Sequence, residues 1–202
     1  WQDSITLWER TVAVTGDNYR AQTNFGFALA AAGQRSRALA AYGEAVRLNP
    51  DYPNAHNYLG SLFADMGDHD RAAAEFETAL RLRPRFAEAH NNLGLTRAAQ
   101  DRLDDAIAAF TEALRVDASF APARNNLAIA YEQSGDFDRA RKAYERATEL
   151  EPDNLQIRQN FDLFKKPMPV PVPDPEEIKK SKTAYDEFQA AVLKFRLGQR
   201  MQ

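Results

Sequence analysis

The chain has 202 residues, of which 44% are hydrophobic and 27% are charged, and its formal net charge is −3. The absence of cysteine excludes disulfides and thiolate metal sites, but it leaves the compartment open, cytoplasmic or periplasmic, since exported proteins can also lack cysteine. There is no run of 18 apolar residues and no signal peptide, so we expect a segment that neither inserts into a membrane nor carries its own export signal.

A 34-residue internal period organises most of the sequence. Each unit contains a Leu-Gly-like pair, an alanine, an aromatic residue, a second alanine and usually a closing proline. The pairs are Phe25-Gly26, Leu59-Gly60, Leu93-Gly94 and Leu127-Ala128; the aromatic residues are Tyr42, Phe76, Phe110 and Tyr144; the prolines are Pro50, Pro84 and Pro152. Four full units therefore cover residues 19–154.

The first 18 residues fit the same period, because Trp8 stands 34 residues before Tyr42. Residues 1–18 are therefore predicted to be the second helix of a truncated preceding unit. Since the chain starts at Trp1 rather than at methionine, we also expect it to be a fragment of a longer protein.

Each unit is predicted to be two amphipathic helices, as its apolar residues recur at helical spacing. In residues 53–86, Leu59, Gly60 and Phe63 share one helical face. The second helix has the stripe Ala72, Phe76, Ala79 and Leu80. Between the helices, Gly67 ends the first and Asp68 or Asp70 caps the second. No pair buries its faces alone, so the pairs must stack into a solenoid.

These residues resemble the tetratricopeptide-repeat family, whose signature has Leu-Gly, alanine, aromatic, alanine and proline at this period. The resemblance implies an all-α fold, a right-handed α-solenoid of helix pairs whose first helices line a concave groove. The segment "WQDSITLWERTVAVTGDN" also resembles the junction in transmembrane and tetratricopeptide-repeat proteins. This second resemblance leaves an alternative to a free-standing scaffold: a regulatory or substrate-recruiting arm of a membrane-embedded glycosyltransferase-like enzyme.

The groove-lining row implied by the resemblance contains a ladder of asparagines, Asn24, Asn92, Asn126 and Asn160, which Tyr58 interrupts. An asparagine amide can pair with both the N–H and the C=O of a peptide backbone. The ladder resembles the one in the superhelical arm of O-linked N-acetylglucosamine transferase, which grips peptide backbones. The alternative is that these asparagines stabilise the packing of adjacent first helices.

The candidate peptide-binding residues combine amide and apolar side chains. They are Asn24, Phe27, Asn57, Tyr58, Ser61, Asn91, Asn92, Leu95, Asn125, Asn126 and Ile129. The row has no Lys/Arg cluster for a C-terminal carboxylate, so we expect a protein or peptide segment, extended or helical, rather than an acidic tail. Residues 1–164 carry a net charge of −6, which disfavours nucleic acid.

No enzymatic motif stands out, and we expect neither catalysis nor a metal or cofactor. His56 and His90 lie one period apart, which marks them as repeat positions at helix starts. The carboxylates of "DMGDHD" follow the turn-and-cap pattern of the other units and lack a calcium-loop spacing. Phosphate-loop, nucleophile-elbow and zinc spacings are missing from the sequence. The sequence therefore predicts a non-catalytic interaction scaffold.

The end of the chain departs from the period. Residues 155–164 are predicted to form a capping first helix, residues 165–174 a proline-rich linker, and residues 175–202 an amphipathic tail helix. The candidate docking residues of the tail are Ile178, Tyr185, Phe188, Val192 and Phe195. Residues 165–202 carry +3, opposite in sign to the repeats. The tail is expected to dock in the groove of its own or a neighbouring copy, which would give self-association; to cap the last repeat; or to contact a downstream region.

Overall fold

The computed structural model describes residues 2–166, which form ten α-helices and no strand. The helices are α1 (Gln2–Thr15), α2 (Tyr19–Ala31), α3 (Arg35–Leu48), α4 (Pro53–Asp65), α5 (His69–Leu82), α6 (Ala87–Ala99), α7 (Leu103–Val116), α8 (Ala121–Gln133), α9 (Phe137–Leu150) and α10 (Leu155–Lys165). Residues 167–202, with nearly all of the predicted linker and the whole tail helix, lie outside the described residues.

The helices pack as pairs that stack into an all-α solenoid, as the period predicts. The second helix of each of the four full units packs along its first helix, and then contacts the first helix of the next unit. First helices also contact first helices across units, from α2 to α4 and onward to α10. These contacts arrange the even-numbered helices α2 to α10 side by side, and the exposed face of that row is the surface on which a groove can form.

Close approach within each pair depends on the small residue of the Leu-Gly-like pair. A Cβ added to Gly94 would lie 2.5 Å from Cε1 of Phe110, and one added to Gly60 would lie 2.9 Å from Cε1 of Phe76. Both phenylalanines are about 1% exposed. The predicted buried face of the first helix is confirmed, and the paired aromatic ring occupies the space that a side chain would need.

The turn between the two helices of a unit has the predicted construction. Gly67 adopts a φ of +79°, and the Asp68 carboxylate accepts a hydrogen bond of 3.1 Å from the backbone N–H of Arg71. The third unit differs, because Asp101 occupies the position of Gly67 and adopts a φ of 59°. The following helix α7 has no side-chain hydrogen bond at its N-cap, Arg102.

One side chain near the start of a first helix ties that helix to the end of the preceding unit. His56 Nε2 lies 2.8 Å from the carbonyl oxygen of Pro50, and His90 Nε2 lies 3.0 Å from that of Pro84. In the last unit the guanidinium of Arg124 donates to the carbonyl oxygen of Ala118, at 3.1 Å. The histidines therefore stand at repeat positions, where they join units.

Candidate peptide-binding groove

The face of the first helices that lies opposite the buried glycines is the candidate groove, here called the groove row. Its members from α2 to α8 are Asn24, Phe27, Ala31, Tyr58, Ser61, Asp65, Asn92, Leu95, Ala99, Asn126, Ile129 and Gln133. None of these twelve residues is buried. Phe27 and Leu95 are the most open of its large apolar side chains, at 51% and 47% exposed. The row therefore offers apolar side chains and amides together.

The asparagines form hydrogen bonds that join successive first helices. Asn92 Nδ2 donates to Asn57 Oδ1 at 3.2 Å, and Asn126 Nδ2 donates to Asn91 Oδ1 at 2.9 Å. A third bond of the same kind, 3.1 Å long, runs from Asn160 to Asn125. Each bond connects residues 35 positions apart, on the first helices of neighbouring units.

The accepting asparagines are part of the packing between helices rather than of the open face. Asn57, Asn91 and Asn125 are 6–7% exposed, and Asn160, the donor to Asn125, is 4% exposed, whereas the donors Asn92 and Asn126 are half-buried. A buried amide oxygen without a partner costs about 1 to 3 kcal/mol, so these bonds satisfy groups that could not remain unpaired. The helix-packing role that the sequence left open is thus present in the contacts.

Tyr58 interrupts the asparagine ladder at a junction where the position 35 residues earlier has no amide to accept a bond. Its partner position is Thr23, which has no amide and instead donates its hydroxyl to the carbonyl oxygen of Tyr19 at 2.7 Å. The ring of Tyr58 stacks nearly parallel to that of Tyr42 and tilts against that of Phe27, with ring centroids 5.8 Å apart in both cases. An aromatic cluster thus replaces the amide pair at the first junction.

A cavity of about 250 Å³ opens between α4 and α6 on the groove row. Three predicted residues, Ser61, Asn92 and Leu95, line it. Asn92 is held there by its bond to Asn57 and lies 3.4 Å from the Ser61 hydroxyl. Ligand pockets for small molecules range from roughly 300 to 1,000 Å³, so this cavity has about the size for one side chain of a partner.

Two polar residues of the cavity, Asp65 and His69, are not among the candidate peptide-binding residues predicted from the sequence. Asp65 is exposed at the end of α4, and His69, the first residue of α5, has a buried Nδ1 that lacks a hydrogen-bond partner among the described residues. Their relation to the groove arises from the turn between α4 and α5, which brings the start of α5 back toward the row. The groove register of the sequence already includes Asp65, whereas His69 resembles an ordinary turn residue there, and only the cavity identifies it.

The remaining predicted residues occupy the two ends of the row. Asn24 and Phe27 lie on α2, and Asn126 and Ile129 lie on α8, so α4 and α6 with the cavity stand between them. Within residues 2–166 no group of three His, Asp or Glu side chains is arranged to hold a metal ion. None of the helices described there has the length and apolarity needed to cross a membrane.

Solved structures share this architecture at low sequence identity. TTC0263, a thermophilic TPR protein of Thermus thermophilus, superposes with a TM-score of 0.71 at 24% identity, covering 79% of this chain and 88% of its own. MamA from Desulfovibrio magneticus RS-1 gives 0.66 at 19% identity, with 76% and 87% covered. PilF of Pseudomonas aeruginosa gives 0.68 at 21% identity, with 72% and 67% covered. At these identities the likeness concerns the fold.

Sequence profiles agree with the repeat architecture. Two profiles described as tetratricopeptide repeat match residues 59–122 and 97–159, and a third, described as TPR repeat, matches residues 26–67. No curated protein sequence matches the chain. The matched residues together run from 26 to 159, over the units whose paired helices and interlocking asparagines are described above. The chain belongs to the tetratricopeptide-repeat family.

Proposed function

We propose that the chain is a non-catalytic scaffold that binds a segment of a partner protein along the groove row. The observation that carries this proposal is the cavity between α4 and α6, where the exposed Leu95 and the fixed amide of Asn92 share one wall. A partner side chain inserted there would cover Leu95 and gain apolar burial at about 25 cal/mol per Å².

The amides on either side of the cavity are suited to a peptide backbone, though to different degrees. Asn126 uses one N–H to reach Asn91, which leaves its second N–H and its Oδ1 without hydrogen bonds to the described residues. Asn24 is exposed at the other end. Asn92 is more fully engaged, with contacts to Asn57, Ser61 and Asn91. The proposed backbone contacts are therefore Asn24 and Asn126.

The test uses a peptide-display library selected against the whole chain, followed by calorimetric titration of the enriched peptides. Leu95→Asp places a charge in the cavity wall at an exposed position, so it should abolish binding without unfolding the array. Leu155→Asp is the matched control, because Leu155 is 69% exposed on α10 and lies outside the groove row. Enriched peptides that bind both variants as tightly as the wild type would refute the proposal, as would the recovery of no binding peptide.

A further inference from the structure

Helix α10 ends the described array as a first helix. Asn160 places it in register through its bond to Asn125, and within residues 2–166 no second helix follows it. The position that is Gly26, Gly60, Gly94 and Ala128 in the full units is Asp162 here. Asp162 is exposed, and its carboxylate lies 3.0 Å from Lys165 Nζ. Because this position has a side chain, a second helix cannot pack as closely on α10 as α5 packs on α4.

A cleft between α9 and α10, here called the terminal cleft, has a volume of about 340 Å³. It is lined by Phe137, Arg141, Glu145, Phe161, Phe164 and Lys165. Behind it stands the fully buried Tyr144, whose ring centroid is 5.8 Å from that of Phe161 and 5.2 Å from that of Phe164. The cleft thus combines an aromatic floor with two cations and one carboxylate.

We propose that the terminal cleft is the docking site for residues 175–197 of the same chain. The sequence predicts an amphipathic helix there, whose apolar stripe includes the aromatic residues Tyr185, Phe188 and Phe195. Aromatic side chains are suited to a cleft with an aromatic floor, because ring pairs gain roughly 0.5 to 1.5 kcal/mol beyond the area that they bury. Bulky side chains can also reach the floor past Asp162, without close approach of the two backbones.

The connection to the cleft is short. Lys165 lines the cleft and is the last residue of α10, so the chain leaves the array at the cleft itself. The nine residues 166–174 include four prolines, and at about 3.1 Å per residue a proline-rich segment of this length reaches at most ~28 Å. Such a tether keeps the tail at an effective concentration on the order of millimolar beside the cleft.

The charges at the start of the tail match those of the cleft. Asp174, Glu176 and Glu177 open the predicted tail helix, and Arg141 and Lys165 stand on the cleft walls. Complementary charges contribute more to the orientation of binding than to its affinity, so they would determine which end of the tail lies at α10. The groove row fits the tail less well, because its cavity places Ser61, Asp65 and Asn92 beside Leu95, whereas the terminal cleft has an aromatic floor.

Paramagnetic NMR on the whole chain tests the proposal, since the absence of cysteine permits labelling at one introduced site. A nitroxide on Lys142→Cys stands on the exposed side of α9 beside the cleft, and a nitroxide on Ala99→Cys stands in the groove. We expect the label at 142 to cause loss of the amide signals of residues 185–195, and the label at 99 to leave them intact. Phe188→Glu with Phe195→Glu should restore the lost signals while the signals of residues 19–116, which lie away from the cleft, stay unchanged.

Three results would overturn the proposal. Loss of signal from the label at 99 alone would place the tail in the groove. If the amide signals of the tail are lost only in a mixed sample, through a label carried by another molecule, the tail docks on a second copy. No loss from either label would mean that the tail does not dock on the repeats.

Discussion

His56 Nδ1 lies 2.6 Å from a carboxylate oxygen of Glu75, while its Nε2 faces the carbonyl oxygen of Pro50 at 2.8 Å. Both ring nitrogens face acceptors, so the charged imidazolium suits the site, in which the His56 side chain is 8% exposed. The hydrogen bond to Glu75 raises the pKa of His56 above its usual value, with a further contribution from the Pro50 carbonyl, against the opposing effect of burial.

This raised pKa predicts a pH-dependent stability. A group whose pKa is higher in the folded state stabilises the fold fully below its unfolded pKa, near 6.5 for histidine, and loses that contribution as pH rises through the folded value. His56→Gln should therefore lower the free energy of unfolding by about 1.5 to 3 kcal/mol at pH 5.5 and by less at pH 8.5, measured by urea denaturation.

His90→Gln is the control for this prediction. His90 makes the equivalent bond to Pro84, but Ala109 stands where Glu75 would be one unit later. The loss of unfolding free energy caused by His90→Gln should not decline between pH 5.5 and pH 8.5. Equal pH profiles for the two variants would contradict the role given to Glu75.

A larger residue should destabilise the fold at Gly94 and stabilise it at Gly43. A side chain on Gly94 meets the ring of Phe110, so Gly94→Leu should overpack the helix pair and cost about 1 to 3 kcal/mol. A Cβ added to Gly43, within α3, would meet no described residue within 4 Å outside the backbone of its own helix, so Gly43→Ala should stabilise by about 0.5 to 1 kcal/mol. Thermal unfolding followed by circular dichroism measures both, and a Gly94→Leu chain that melts with the wild type would refute this packing.

The asparagine bonds predict coupled mutational effects. Asn57→Ala and Asn92→Ala should each destabilise by about 1 kcal/mol, and the double variant should cost less than their sum, because either change already removes the same bond. Chemical denaturation of the four chains gives the coupling energy. Asn57→Ala combined with Asn126→Ala provides the comparison, as Asn126 bonds to Asn91 instead, and that pair should be closer to additive.

The left-handed Asp101 predicts a stabilising change. Its backbone φ of 59° is one that glycine adopts without a steric penalty, as Gly33, Gly67 and Gly135 do at the same position of other units. Asp101→Gly should raise the free energy of unfolding by about 0.5 to 1 kcal/mol, measured by denaturant titration. Gly67→Asp is the reciprocal variant and should lower it; a loss of stability in Asp101→Gly would argue against the strain.

The sequence was sufficient for the repeat architecture because one period recurs in small and aromatic residues. Gly60, Phe76 and Asp68 could be given their roles from spacing alone, since those roles are local or lie within one helix pair. The bond of Asn92 to Asn57 could not be predicted from spacing, because it joins positions 35 apart while the sequence repeats every 34. Nor could the pairing of His56 with Glu75 be found, as only the packing of α4 on α5 brings them together.

The asparagine bonds also bear on how the solenoid flexes. Three of them run along the first helices, from α4 to α10, and any change of superhelical pitch that separates neighbouring units must stretch them. The junction between α2 and α4 has Thr23 and Tyr58 in their place, and a ring contact resists sliding less than a directed hydrogen bond does. We expect the array to be least stiff at this junction, so that bending concentrates between the first two full units.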